Sequence, residues 1–128
     1  MELLPFMSDQ DHAPRNLDPE DAKLIVLARA ARDRIGASEG AAVRDRDGRT
    51  YVAATVALPS LRLSALQAAV AAAVSSGVTG LEAAALVSAA ETTDGDGISA
   101  VRDLSQSAAV LLAGINGIVL STDRGSTP

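Results

Sequence analysis

No charged residue falls between Arg62 and Glu82, and none between Asp103 and Asp123. A run that long without a charge is either a membrane span or a segment that a folded domain covers on several sides, so these two stretches decide the class of the chain. Neither is fit to span a bilayer. The first is mostly alanine interrupted by Ser64, Gln67, Ser75, Ser76 and Gly77, and the second is broken by Gln106, Gly114, Asn116 and Gly117. They read as the interior of a packed domain. A length of 128 residues suits one such domain, able to bury roughly two thirds of its unfolded surface, and leaves no room for a second core.

Composition narrows the partners. With a net charge of -5, the chain lacks the clustered Lys and Arg that nucleic acid or an anionic membrane surface requires, and neither is expected as a partner. Arg29, Arg32, Arg34, Arg44, Arg46 and Arg49 alternate with acids and read as a solvated face. Phe6 and Tyr51 are the only aromatics, which argues against a base-stacking platform. There is no cysteine, so a disulfide framework and thiolate metal sites are excluded. The N-terminus carries Glu2 and Pro5 where a secretory signal would have a basic start and a continuous apolar stretch, and Met7 is an equally good start. The expectation is a soluble, cytoplasmic protein. Residues 1–16 are expected to be a flexible tail, 17–122 the folded domain and 123–128 a second flexible tail.

Along the chain, Asp18-Pro19-Glu20-Asp21 combines a carboxylate N-cap, a proline at the first helical position and acids at the positive end of the dipole. The predicted helix runs to about Arg34 with Leu24, Leu27, Ala28, Ala31 and Ile35 on one face, and Gly36 ends it. Segments 40–44 and 50–57 form a hairpin around Asp47-Gly48. Pro59-Ser60 breaks the extended run, and Leu61–Ser76 is expected to be a helix buried on several sides. Leu81–Ala90 suits a covered central strand, 92–97 a loop, Ala100–Ala113 a second buried helix capped by Asp96 or Ser99, and Ile118–Ser121 a last strand. The order helix, strand, strand, helix, strand, helix, strand predicts an α/β fold with helices packed on a mixed sheet.

That order, together with Gly40-Ala41-Ala42, Asp47-Gly48, Val56, Ser60 and the alanine-rich helix ending Val74-Ser75-Ser76-Gly77, resembles the small homotetrameric cytidine deaminases over about Leu24 to Leu112. The resemblance implies a cytidine deaminase-like three-layer α/β/α fold and a homo-oligomer, dimer or tetramer. In that family Cys-Ala-Glu begins one helix and Pro-Cys-x-x-Cys the next, supplying three zinc ligands and a proton-transferring glutamate. Aligned from the Gly77 end, Cys-Ala-Glu corresponds to Ser64-Ala65-Leu66, with two residues missing from the preceding loop. Ile98 and Val101 stand where the paired cysteines would be, and Arg102 matches an arginine common after the second. The Asn-x-Glu that grips the ribose corresponds to Thr55-Val56-Ala57, and a ring-contacting phenylalanine to Ala37.

The departures imply no zinc, no other cofactor and no catalytic residue. Leu66, Ile98 and Val101 would fill the space of a metal centre with a gain of roughly 1.5 to 3 kcal/mol each if fully buried. The expected function is a noncatalytic structural or interaction module, with Gln67, Val70, Ala72 and Val74 on the alanine-rich helix as interface candidates. A nucleoside or small-ligand binder without turnover is the alternative, distinguished by donors and acceptors in a pocket that Leu66, Ile98 and Val101 would otherwise close. An active deaminase is the remote one. Other constellations are weaker. Asp94-Gly95-Asp96-Gly97 with Asp103 imitates part of a calcium loop but has Thr92 at the first ligand position, so it reads as a turn-rich linker. The one histidine, His12, lies many residues from any predicted element, which makes a Ser-His triad improbable, and Glu82 and Glu91 flank a strand as solvated acids.

Overall fold

Asp18 starts the first helix of the computed structural model, which describes residues 17–90 and 94–125. Its carboxylate accepts from Glu20 N at 2.7 Å, Pro19 opens helix α1 (Pro19–Ile35), and Gly36 closes it at φ 71°. Leu24, Ile25, Ala28 and Ala31 are the buried face. Ile25 replaces the expected Ile35, which the last turn leaves exposed.

Strands β1 (Glu39–Asp45) and β2 (Thr50–Ala54) pair as the predicted hairpin, and Gly48 takes φ 88° in the turn. Asp45 organises that turn, accepting from Asp47 N and Arg49 N at 2.9 Å and from the Tyr51 hydroxyl at 3.2 Å. Burial pushes its carboxyl up, but these donors outweigh burial and hold it below the ordinary carboxylate range.

The next segment corrects the sequence expectation. Thr55 ends the strand by turning its side chain onto β1, where Oγ1 accepts from Glu39 N at 3.1 Å. Val56–Leu58 (β3) and Leu61–Leu63 (β4) then form a separate two-stranded ribbon around Pro59-Ser60. Helix α2 (Ala65–Ser75) therefore starts at Ser64, not Leu61. Ser64 and Gln67 make a reciprocal capping box, each side chain bonding the other's backbone N–H. Nor is α2 covered on several sides by its own chain, because Ala71, Ala72 and Val74 face outward.

Strand β5 (Leu81–Ser88) lies at the centre of the main sheet, whose order is β2-β1-β5-β6-β7. Helix α3 (Gly95–Leu104) is capped by Asp94, whose Oδ1 accepts from Gly97 N at 2.9 Å, so the cap is neither Asp96 nor Ser99. The expected helix through Ala113 stops at Leu104, and Ala109–Ala113 is instead strand β6, parallel to β5. Val110 is buried on one face of the sheet and Leu111 on the other. An apolar run covered on both sides carries no periodic signal to separate strand from helix, and only the sheet decides it. Strand β7 (Val119–Asp123) returns antiparallel along the edge.

These elements make three layers. Helix α1 packs on one face over Ala42, Ala83, Ala85 and Val87, while α2 and α3 cover the other over Ala41, Val43, Ala84 and Val110. Among the described residues no helix is long and apolar enough to cross a membrane.

Arg102 ties α3 to the far edge of the sheet. Its Nη1 donates to Ala108 O at 2.6 Å, and its Nη2 to Asp123 O at 3.0 Å and to Asp123 Oδ1 at 2.6 Å. Arg102, with help from the Gly125 N–H, holds the Asp123 carboxyl below its usual range. A carboxyl lowered by folding stabilises the fold above its unfolded pKa near about 4, and that contribution disappears as pH falls through the folded value. Asp123→Asn is therefore expected to lose less stability than the parent as the pH is lowered below about 4. Urea midpoints across that window check it, and identical pH slopes would contradict it.

Candidate functional site

The starts of α2 and α3 converge on the sheet face opposite α1, and between them lie the positions that the family resemblance assigns to metal and catalyst. Leu66 and Val101 are both 0% exposed and belong to one apolar cluster with Ala41, Val43 and Val110, against which the half-buried Ile98 packs. The two helices meet so closely that a Cβ on Gly97 would sit 2.8 Å from the Leu66 Cβ. Ser64 is engaged in its capping box, its Oγ 3.1 Å from Gln67 N.

This donor set does not fit a zinc ion. Three of the four positions present hydrocarbon, which has no lone pair to give, and the fourth presents a hydroxyl already committed to a helix cap. Among the described residues no three His, Cys, Asp or Glu side chains are grouped to hold a metal ion. The negative charge at this junction comes from Asp94 instead. One of its oxygens caps α3, and the other is buried without a hydrogen-bond partner among the described residues. A carboxylate there complements the positive end of the helix dipole.

Beyond this packed floor lies an open cleft of about 450 Å³. Ser38, Glu39 and Thr55 form one wall, Val56, Ala57, Arg62 and Leu63 of the ribbon another, and Ser64, Gln67, Asp94 and Asp96 the helix-start side. Leu66, Ile98 and Val101 are not among the cleft's lining residues, which bring donors and acceptors instead. Thr55, one of the two positions that the family resemblance aligns with the ribose-gripping pair, shares a 3.2 Å hydroxyl contact with Ser38 and stitches the ribbon to β1. The other position, Ala57, contributes only a methyl group to the wall.

The interface candidates on α2 separate. Gln67 is held in the capping box and Val70 is 7% exposed within the core, whereas Ala72 and Val74 face outward. Sequence reasoning missed Asp94 as a cap, although an Asp three residues before the capped N–H is a recognisable helix start. It also missed Ser38 and Glu39, for which no local signal exists. Glu82 pairs with Arg44 at 2.9 Å, while Glu91, Thr92, Phe6 and His12 lie outside the described residues.

Comparison with known proteins agrees with this architecture. The chain's fold is shared with the cytidine deaminase of Burkholderia pseudomallei at a TM-score of 0.70 and 23% identity, covering 80% of this chain and 90% of that one. The cytidine deaminase of Mycobacterium leprae gives a TM-score of 0.62 at 20% identity over 74% of this chain and 89% of that one. A mutant cytidine deaminase of Mycobacterium tuberculosis gives 0.59 at 27% identity over 76% and 85%. Among curated proteins there is no match. A family model described as cytidine deaminase-like matches residues 17–117, and the chain belongs to that family.

Proposed function

We propose that this chain is a noncatalytic member of the cytidine deaminase-like family that serves as a structural or interaction module and assembles with copies of itself. One observation carries the noncatalytic reading: Leu66 and Val101, at positions that the family resemblance gives to the proton-transferring glutamate and a zinc ligand, are fully buried hydrocarbon in the joint between α2 and α3. Deaminase chemistry needs a metal-activated water and a proton-carrying carboxylate beside it, and the hydrocarbon at these two positions can neither ligate a metal nor carry a proton. Self-association is supported by the outward face of α2, where Ala71, Ala72 and Val74 are exposed in a stretch free of charge.

A second reading is favoured by the cleft. At about 450 Å³ it falls within the range of small-ligand sites, and its walls carry hydroxyl, amide, carboxylate and guanidinium groups. Binding of a nucleoside or related small molecule without turnover is compatible with a filled floor. Among the described residues no aromatic side chain lines the cleft, and these residues would hold a base without stacking.

One preparation tests both readings. Purified protein is expected to contain no stoichiometric zinc and to release no ammonia from cytidine or deoxycytidine. About one zinc per chain by elemental analysis would overturn the noncatalytic reading. Calorimetric titration of the same sample with cytidine tests the second reading, which fails if no heat of binding is seen.

A further inference from the structure

Strand β7 closes one edge of the sheet without entering its core. None of its five residues is buried, Leu120 is 69% exposed, and its backbone pairs with β6 alone. Only Val119 packs against an apolar cluster. The neighbouring strand is the reverse, with Val110, Leu111 and Ala113 of β6 at most 4% exposed. Detaching β7 would therefore return little apolar surface of its own to water, and segments with few buried contacts are where a protein opens before it unfolds.

The two ends of the strand are held differently. At its start the turn Gly114–Gly117 holds itself: Gly117 N donates to Gly114 O at 2.8 Å and Gly114 N to Ile118 O at 3.1 Å. These bonds need nothing from β7, so the turn can act as a hinge. At its end the ties converge on Arg102. One guanidinium bonds both the carbonyl and the carboxylate of Asp123 while anchored on Ala108 O of its own side of the sheet. Among the described residues Arg102 is the only side chain outside β7 that hydrogen-bonds to the strand. Asp123 also accepts from Gly125 N at 3.0 Å, which folds the chain back over the pair. Gly125 passes so close that an added Cβ would run into the Gln106 carbonyl oxygen and the Arg102 guanidinium. With its side chain 19% exposed, Arg102 is largely shielded from the water that would compete for these bonds.

We propose that β7 and the turn at Gly125 form a strap that opens as one unit about Gly114–Gly117 while the rest of the fold stays closed, and that Arg102 is its latch. Opening leaves the outer edge of β6, an apolar run with unpaired N–H and C=O groups, free to pair with another strand. The strap is independent of the readings above, since none of its residues lines the cleft.

Hydrogen exchange of the full chain, followed residue by residue, tests the strap and its latch. In the parent, the β7 amides bonded to β6 are expected to exchange at least about tenfold faster than the central β5 amides and to respond little to low urea. Equal protection and equal urea dependence of the two strands overturn the strap, because β7 then leaves only when the whole fold does. Arg102→Gln is expected to widen the difference between β7 and β5 by about tenfold or more. If the two strands accelerate together, or neither does, Arg102 is not the latch and the proposal fails. Should Arg102→Gln not fold, Gly125→Ala decides, because it presses on the guanidinium without removing it. The same widening is expected, and an unchanged ratio of β7 to β5 exchange overturns the latch.

Discussion

Gly40→Ala is expected to cost the fold more than about 3 kcal/mol, the upper end of what overpacking usually does. Gly40 sits in β1 directly beneath α1, where an added Cβ would run into the Ala28 carbonyl oxygen and lie 2.8 Å from Arg32 N. Those are backbone atoms inside a helix, so no side-chain rotation relieves the contact. Nor can β1 retreat, because Gly40 is paired with Ala54 on one side and Val87 on the other. Its φ is not in the left-handed region, so the demand for glycine is one of space. Gly48→Ala is the control. It has φ 88° and nothing within 4 Å, so it carries only a conformational penalty of about 1 kcal/mol. Urea unfolding of both variants checks the pair. A Gly40→Ala protein as stable as Gly48→Ala would mean that α1 lifts off the sheet at little cost, contrary to the packing described.

What could be read in advance was what the chain encodes locally. Asp18-Pro19 fixes the start of α1 through a side-chain cap, and Asp47-Gly48 fixes the first hairpin through a backbone conformation that glycine reaches cheaply. The errors fall where the local signal is absent. Leu61-Arg62-Leu63 joins a strand because Leu58 faces Leu61 across Pro59-Ser60, a pairing that competes with the helix following it. Ala109–Ala113 becomes a strand because β5 and two separate apolar clusters enclose it, and its own residues are equally suited to a buried helix. The site divides in the same way. Leu66 and Val101 are legible as core because each is an apolar residue on a helix that packs on the sheet. The cleft above them is built from 38–39, 55–57, 62–64, 67 and 94–96, and no spacing along the chain announces that these converge. Its existence depends on the ribbon, so mistaking β4 for helix hid the cleft as well.

Leu66→Glu restores the residue type that the family resemblance assigns to proton transfer, yet it is expected to destabilise the protein by several kcal/mol and to yield no deaminase activity. Leu66 is 0% exposed, with Gly97 and Val101 packed on the α3 side of the joint. A carboxylate there would lose its hydration without gaining a cation, since Asp94, which meets Leu66 beside Gly97, is itself an acid with one oxygen already unpartnered among the described residues. The introduced carboxyl would therefore have its pKa raised in the folded state. A group so shifted lets the folded state keep a proton that the unfolded state loses, so the variant's deficit should grow as pH rises from about 4 through the raised folded value. Leu66→Ala separates packing from charge. Truncation alone is expected to cost about 2–5 kcal/mol and to show no such pH dependence. Denaturant midpoints of the three proteins between acid and neutral pH give the comparison. If Leu66→Glu matched the parent at neutral pH, the position would have to be wet and open to the cleft, and the filled floor on which the noncatalytic reading stands would be lost.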